Sequence, residues 1–197
     1  MFSSVILIFL AVAVYGAVHS LLASLWAKAH ARRLFGPLAD RIYRLGYNVF
    51  AVLSLLPVLA LPLVLPDRPL YSIPFPYLLL SLSVQALAGA VVLVGLLQTG
   101  LGSFLGLRQL AAPPVEREAR LVVRGLYRWV RHPLYTAALV FLWLTPVMTV
   151  NVAALNAGLT AYLVIGALFE ERRLLKEFGP AYARYRDETP MLIPGLK

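Results

Sequence analysis

Cysteine is absent from the chain, which removes disulfides, cysteine-ligated metals and a cysteine nucleophile. Charge is sparse as well. Only 14% of the 197 residues are charged, against 60% hydrophobic residues and a mean hydropathy of +0.79. That balance excludes an ordinary soluble domain. There is no Asn-x-Ser/Thr acceptor, no internal repeat and no low-complexity tail. Long apolar runs are what the chain has in quantity. A run of about 20 apolar residues can cross a bilayer core of about 30 Å as a helix. Five are expected, over residues 2–26, 42–65, 76–97, 134–150 and 152–169. The last two nearly touch and should form a hairpin that turns between Thr145 and Asn151. The expected fold class is therefore all-α, an integral membrane bundle of about five transmembrane helices. It is read as one membrane domain over 1–197, with a three-helix part (1–98) and a second part (99–197) made of a loop, the hairpin and an amphipathic tail.

The net charge of +9 raises the question of nucleic acid, but its distribution answers differently. Seventeen of the 18 basic residues fall in the first and third loops, counting Arg44 at the edge of the second run, and after the fifth run; Arg68 alone lies in the others. With five spans, that asymmetry places the N-terminus outside and the C-terminus in the cytoplasm, as in a bacterial inner membrane. The same residues would attract anionic lipid headgroups. Ala11-Val12-Ala13 could pass for a signal-peptide cleavage site. However, no basic residue precedes the first apolar run and a basic cluster follows it, which suits a retained helix.

Several motifs have a plain structural reading. Gly100-x-Gly102 with Gly106 misses the dinucleotide spacing and follows no strand; flexible backbone at a helix end, or small residues that let helices approach, account for it. His19, His30 and His132 lack metal-ligand spacing, so no metal is expected. His19 and Gln85 lie within apolar runs, where hydrogen bonds to neighbouring helices explain them. No Ser–His–Asp arrangement can be assembled. The loop 66–76, with four prolines, Asp67 and Tyr71, reads as a rigid outer connection. The stretch 99–131 is the longest polar segment, a length usually functional or mobile. Beyond the fifth run, Leu174, Leu175, Phe178, Tyr182 and Tyr185 recur at near-helical spacing, and Gly179-Pro180 should end one helix and start another. That tail is expected along the membrane surface.

The stretch 121–135 is different. Gly125, Tyr127, Arg131, His132, Pro133 and Tyr135 crowd together just before the hairpin, and Glu170-Glu171 closes it. A hairpin would bring both clusters to one face, and ionisable groups at the end of a membrane bundle are more often functional than not. Pro133 suits a first helical turn, whose free N–H groups can hold an anion. The carboxylates could bond ribose hydroxyls or face a cation. Interfacial anchoring by Arg and Tyr with a charged helix end explains the same residues equally well.

The segment Gly125-Leu-Tyr127-Arg-Trp-Val-Arg131-His132-Pro133-Leu-Tyr135, then Glu170-Glu171 and Phe178-Gly179-x-x-Tyr182-x-x-Tyr185, resembles the isoprenylcysteine carboxyl methyltransferase and phospholipid methyltransferase superfamily. The resemblance covers about 121–194. Val18-His19-Ser20-Leu21-Leu22-Ala23 and Tyr43-Arg44-Leu45-Gly46-Tyr47-Asn48 look like its bacterial NnrU and methanethiol S-methyltransferase branch. The resemblance implies a membrane enzyme that binds S-adenosylmethionine in a cytoplasmic pocket formed by the third loop, the hairpin and the tail. By position, His132, Pro133, Leu134, Tyr135 and Glu170 would hold the cofactor. Tyr127, Glu171 and the Arg120, Leu121 and Val122 backbone are further candidates. The acceptor, small or lipophilic, would enter from the lipid, and no metal is implied.

Two departures from the family pattern stand out. Ala137 replaces a common glycine. Gly166 stands where the prenylcysteine branch has an arginine that would contact the acceptor's carboxylate, which argues against a carboxylate acceptor and leaves a thiol, an amine or a lipid headgroup. The alternatives are a sterol-reductase-like enzyme with a nicotinamide cofactor, and a non-catalytic membrane accessory protein. No residue is singled out as catalytic.

Overall fold

The computed structural model describes residues 2–98, 100–111 and 121–196. Nine helices are found there: α1 (Phe2–Ala23), α2 (Leu25–Phe35), α3 (Pro37–Val64), α4 (Tyr77–Gln98), α5 (Leu101–Leu105), α6 (Leu107–Ala111), α7 (Pro133–Trp143), α8 (Val150–Phe178) and α9 (Pro180–Glu188). A 3-10 turn covers Gly125–Arg128, and two short strands, β1 (Pro69–Ser72) and β2 (Val147–Thr149), pair with each other. The protein is a helical integral membrane protein. Among the described residues four helices, α1, α3, α4 and α8, are long and apolar enough to cross a membrane. Many of their large side chains face outward, such as Leu10, Leu53 and Leu63, where lipid rather than protein would cover them.

The expected fourth span, 134–150, takes another form. Its helix, α7, has 11 residues, about 16 Å of rise, and the chain then continues through Pro146 into β2. Proline lacks the N–H a further turn would need, and the branched Val147 and Thr149 suit extended chain. The stretch 99–131, expected as a polar loop, carries α5, α6 and the 3-10 turn within its described residues.

Two compact units divide the chain. The first comprises Met1–Tyr71, Val94–Glu116 and Met148–Gly158. Here α1 buries Ser4, Ile8, Val12 and Gly16, one residue every four, a single stripe on its surface. Gly158 of α8 meets that stripe: a Cβ added there would lie 3.3 Å from both Val12 methyl groups. Small residues at such crossings let helices pack closely where the hydrophobic effect gives little drive. As expected for His19, its ring bonds a neighbouring helix, with Nε2 2.7 Å from the Tyr47 hydroxyl of α3. Tyr43 donates to the Leu22 carbonyl at 2.7 Å. The start of α8 is capped from afar, since the Asn151 N–H donates to Asp67 Oδ1 at 3.0 Å.

The Gly100–Gly106 segment is a packing device, as its sequence suggested. Gly106 has φ +93°, and a Cβ there would fall 2.6 Å from the Leu45 backbone nitrogen. Gly106→Ala should therefore destabilise the protein by about 2 kcal/mol or more, the sum of a left-handed backbone and a contact that cannot relax. Thermal unfolding in detergent would measure it. An unchanged midpoint would mean that α3 and the α5–α6 turn do not pack this closely.

The second unit comprises Ser72–Leu93, Arg117–Val147 and Leu159–Lys197. In it α4 and α7 run antiparallel: Ser81 Oγ donates to the Leu144 carbonyl at 2.6 Å and Gln85 Nε2 to the Phe141 carbonyl at 2.8 Å. Trp143 Nε1 donates to Thr160 Oγ1 at 3.0 Å, which sets α7 against α8. Gly179, at φ +53°, breaks the chain between α8 and α9 where Gly179-Pro180 indicated.

Candidate functional site

The second unit gathers residues from four separate stretches of sequence. Pro133 opens α7 as its first residue, and His132 sits at the cap position with φ −124° and ψ 65°. Antiparallel to this end of α7 runs the part of α8 that carries Glu170 and Glu171. His132 is buried between them: Nε2 is 3.3 Å from Glu171 Oε1, and Nδ1 is 3.7 Å from Glu170 Oε2. Tyr135, one turn along α7, donates to Glu170 Oε2 at 3.1 Å. Its ring stacks on the His132 imidazole with centroids 5.4 Å apart and planes 11° from parallel.

The two neighbouring carboxylates have different surroundings. The Glu171 side chain is 11% exposed and its Oε1 also accepts from Arg131 Nε at 2.5 Å. Glu170 is 34% exposed, held by Tyr135 on one oxygen and 3.9 Å from Arg173 Nη2 on the other. An ion pair taken out of water is costly to break, whereas a partly exposed carboxylate can exchange a weak partner for a ligand.

Arg131, counted in the polar cluster before the hairpin but not among the residues expected to hold the cofactor, joins this cluster to the tail. Its Nη1 donates to the Arg186 carbonyl at 2.9 Å and to the Thr189 carbonyl. The Arg131 and His132 backbone N–H groups donate to the Pro190 and Met191 carbonyls at 2.9 and 3.1 Å. Thr136 Oγ1 donates to the Leu192 carbonyl at 2.7 Å. Tyr182 and Tyr185, which recur at near-helical spacing in the tail, are buried within the unit. The Tyr185 hydroxyl donates to the Tyr127 carbonyl at 2.6 Å. Hydrophobic spacing shows that one face of a helix is covered but not by what, and here protein covers it.

Burial, reinforced by the Glu171 charge, pushes the Tyr182 phenol up to about 12; burial does the same for Tyr185, against the opposing charge of Arg131. Tyr127 is also raised, by burial and then by Glu170. In the unfolded chain these phenols would ionise near 10.0. The stability that Tyr182 and Tyr185 carry is thus complete below pH 10 and lost as pH climbs through about 12. Melting curves in detergent should show a falling midpoint across that window. The double variant Tyr182→Phe/Tyr185→Phe should flatten the fall, and an identical fall in both proteins would exclude these groups as its source.

The other expected residues are distributed as follows. Leu121 lines a cavity of about 480 Å³ together with Val123, Arg128, Ala181, Arg184, Tyr185, Glu188 and Thr189, a volume within the range of small-molecule sites. His132, Tyr135 and Glu170 do not line it, but Tyr185 and Thr189 belong both to its wall and to the bonds around Arg131 and Tyr127. Val122 is exposed, Leu134 lies in the first turn of α7, and Arg120 lies outside the described residues. The second unit thus defines a class: a membrane helical protein with a carboxylate–imidazole–phenol cluster at the junction of its last helices.

Comparison with known proteins narrows this to a family. Residues 47–189 match the family described as "Protein of unknown function (DUF1295)", and the chain belongs to it. Among curated proteins it is similar to methanethiol S-methyltransferase 1 of Bradyrhizobium diazoefficiens, 34% identical over 157 residues, 78% of this chain and 55% of the relative. It is also similar to the methanethiol S-methyltransferase of Crocosphaera subtropica, 34% identical over 115 residues, 57% of this chain and 45% of the relative. That of Mycobacterium tuberculosis is 45% identical over 69 residues, 35% of this chain and 28% of the relative. The chain thus spans between about a quarter and about half of the length of these relatives. No solved structure matches. These relatives bear out the methanethiol S-methyltransferase-like branch that the N-terminal motifs resemble.

Proposed function

We propose that the protein is an S-adenosylmethionine-dependent membrane methyltransferase whose acceptor is a small lipophilic thiol. The observation that carries this reading is the convergence of His132, Tyr135 and Glu170, with Glu170 partly exposed and aimed by the Tyr135 hydroxyl. A sulfonium is a cation without a proton to donate, so a carboxylate beside stacked ring faces is the kind of donor set that fits it. When bound, the cofactor supplies a methyl group on positively charged sulfur, open to in-line attack by an acceptor. The chain's own residues contribute position: Glu170 offers the counter-charge, Tyr135 fixes its oxygen, and the buried His132 holds the two helices in register. Orientation and exclusion of water account for most of the rate in such a transfer. The cavity that shares Tyr185 and Thr189 with the bonds around Arg131 and Tyr127 would take the remainder of the cofactor.

The thiol is supported by the names of the relatives and by Gly166. One helical turn before Glu170, a Cβ at Gly166 would meet nothing within 4 Å, so that position offers open space where the prenylcysteine branch has an arginine. The cluster is assigned to the cytoplasmic face and the N-terminus to the outside, on the placement of the basic residues. The bilayer is then both the solvent of the protein and the route of the acceptor. The nicotinamide and accessory-protein readings find no support among the relatives. Calorimetry on detergent-purified protein should detect binding of S-adenosylmethionine and S-adenosylhomocysteine. With methanethiol added, dimethyl sulfide should appear in the headspace, above the products from amines or phosphatidylethanolamine. A folded protein that binds neither nucleoside would overturn the reading, and turnover of an amine or lipid alone would overturn the thiol.

A further inference from the structure

We infer that the adjacent glutamates divide their labour: Glu171 is a positioning residue that, with Arg131, straps the C-terminal segment onto the head of α7, leaving Glu170 as the carboxylate offered to ligand. The inference rests on the methyltransferase reading for the identity of the ligand, but the strap stands on geometry alone. Glu171 Oε1 is shared by Arg131 Nε at 2.5 Å and His132 Nε2 at 3.3 Å, with the side chains of all three nearly buried. The guanidinium that Glu171 orients then spends Nη1 on the Arg186 and Thr189 carbonyls. Two backbone bonds, from Arg131 N–H to the Pro190 carbonyl and from His132 N–H to the Met191 carbonyl, lay the tail alongside the cap residue of α7. Thr136 Oγ1 to the Leu192 carbonyl and Tyr185 to the Tyr127 carbonyl close the strap at either end.

Because the tail supplies carbonyls, its attachment is reported by the donors just ahead of α7. The Arg131 and His132 amides exchange with solvent only when the strap lifts. Glu171 therefore acts on ligand binding through Arg131 and the tail, whereas Glu170 acts on it directly. Both glutamates lie on one turn of α8, so glutamine at either removes the same charge, and what differs is burial and bonding partners.

The test is amide hydrogen exchange on full-length protein in detergent, without cofactor, paired with calorimetric binding of S-adenosylhomocysteine. Glu171→Gln should speed exchange at Arg131 and His132 by about tenfold or more, since a hydrogen bond to a charged group is weakened, and should weaken binding. Glu170→Gln should weaken binding with those amides still protected. Should Glu171→Gln fail to fold, Thr136→Val, which removes one tail bond and no charge, should release the same amides to a smaller extent. Unchanged protection in Glu171→Gln, or in Thr136→Val if that variant has to stand in, would overturn the strap. Equal loss of protection in both glutamate variants would overturn the division of labour. A parent that binds no nucleoside but shows the predicted exchange pattern would sink the methyltransferase reading and leave the strap in place.

Discussion

Glu170→Gln should weaken S-adenosylmethionine binding by about tenfold to a hundredfold, the loss of a charged contact worth roughly 1.5–3 kcal/mol, with little change in thermal stability. The reasoning separates two consequences of one substitution. Glu170 is a third exposed, and its other charged neighbour, Arg173, is 3.9 Å away and itself 71% exposed, so the folded state gains little from the charge. Glutamine keeps an oxygen for the Tyr135 hydroxyl, which alanine would leave unpaired. The cation is different, because a neutral amide cannot replace a carboxylate near a sulfonium. Calorimetry and a melting curve on the same preparation measure both effects. A large fall in midpoint with unchanged affinity would assign Glu170 to structure rather than to ligand.

The second large effect is expected at Arg131. Arg131→Met should destabilise the protein by about 3–5 kcal/mol, the usual consequence of stranding one member of a buried ion pair. The side chains of Arg131 and Glu171 are 9% and 11% exposed, so water does little to screen the charge left behind. Two tail carbonyls also lose their donor. Adding Glu171→Gln to Arg131→Met should recover part of the loss, because the stranded carboxylate is then neutral. Denaturation of the parent, both single variants and the double variant forms a cycle that isolates the pair. Strictly additive losses would mean that the two groups do not interact in the folded protein.

The sequence made some of this architecture readable and concealed the rest for identifiable reasons. Residues 2–26, 42–65, 76–97 and 152–169 were long enough that length and composition alone marked helices, and each corresponds to one of α1, α3, α4 and α8. Gly179, Gly100 and Gly106 have positive φ, a local backbone requirement that glycine advertises in the sequence, although the contact of Gly106 with the Leu45 backbone is not local. The end of α7 was legible in part, since a turn was expected between Thr145 and Asn151, but the strand Val147–Thr149 within it was not. Periodicity cannot separate a buried helix from buried extended chain in an apolar run. The role of Arg131 was hidden for another reason. Its partners, Glu171 and the carbonyls of Arg186 and Thr189, lie 40 to 58 positions away, and two of the three are backbone atoms that no residue type advertises. Tyr182 and Tyr185 carried a helical pattern that reports coverage but never the identity of the cover.

The early stop of α7 bears on how a membrane helix can be shortened. A helix that ends among apolar neighbours leaves its last carbonyls without the amides of a following turn, and in lipid no water replaces them. Here the following turn is assembled from borrowed parts. The Phe141 carbonyl takes its hydrogen from Gln85, that of Leu142 from the Thr145 hydroxyl, and that of Leu144 from Ser81. Two of these donors stand four residues apart on α4, so one face of α4 serves α7 as a splint. The polar residues in the middle of α4 are thus the counterpart of residues that α7 lacks. Lengthening α7 by a turn would make them superfluous, and replacing them with leucine would make the shortened helix untenable.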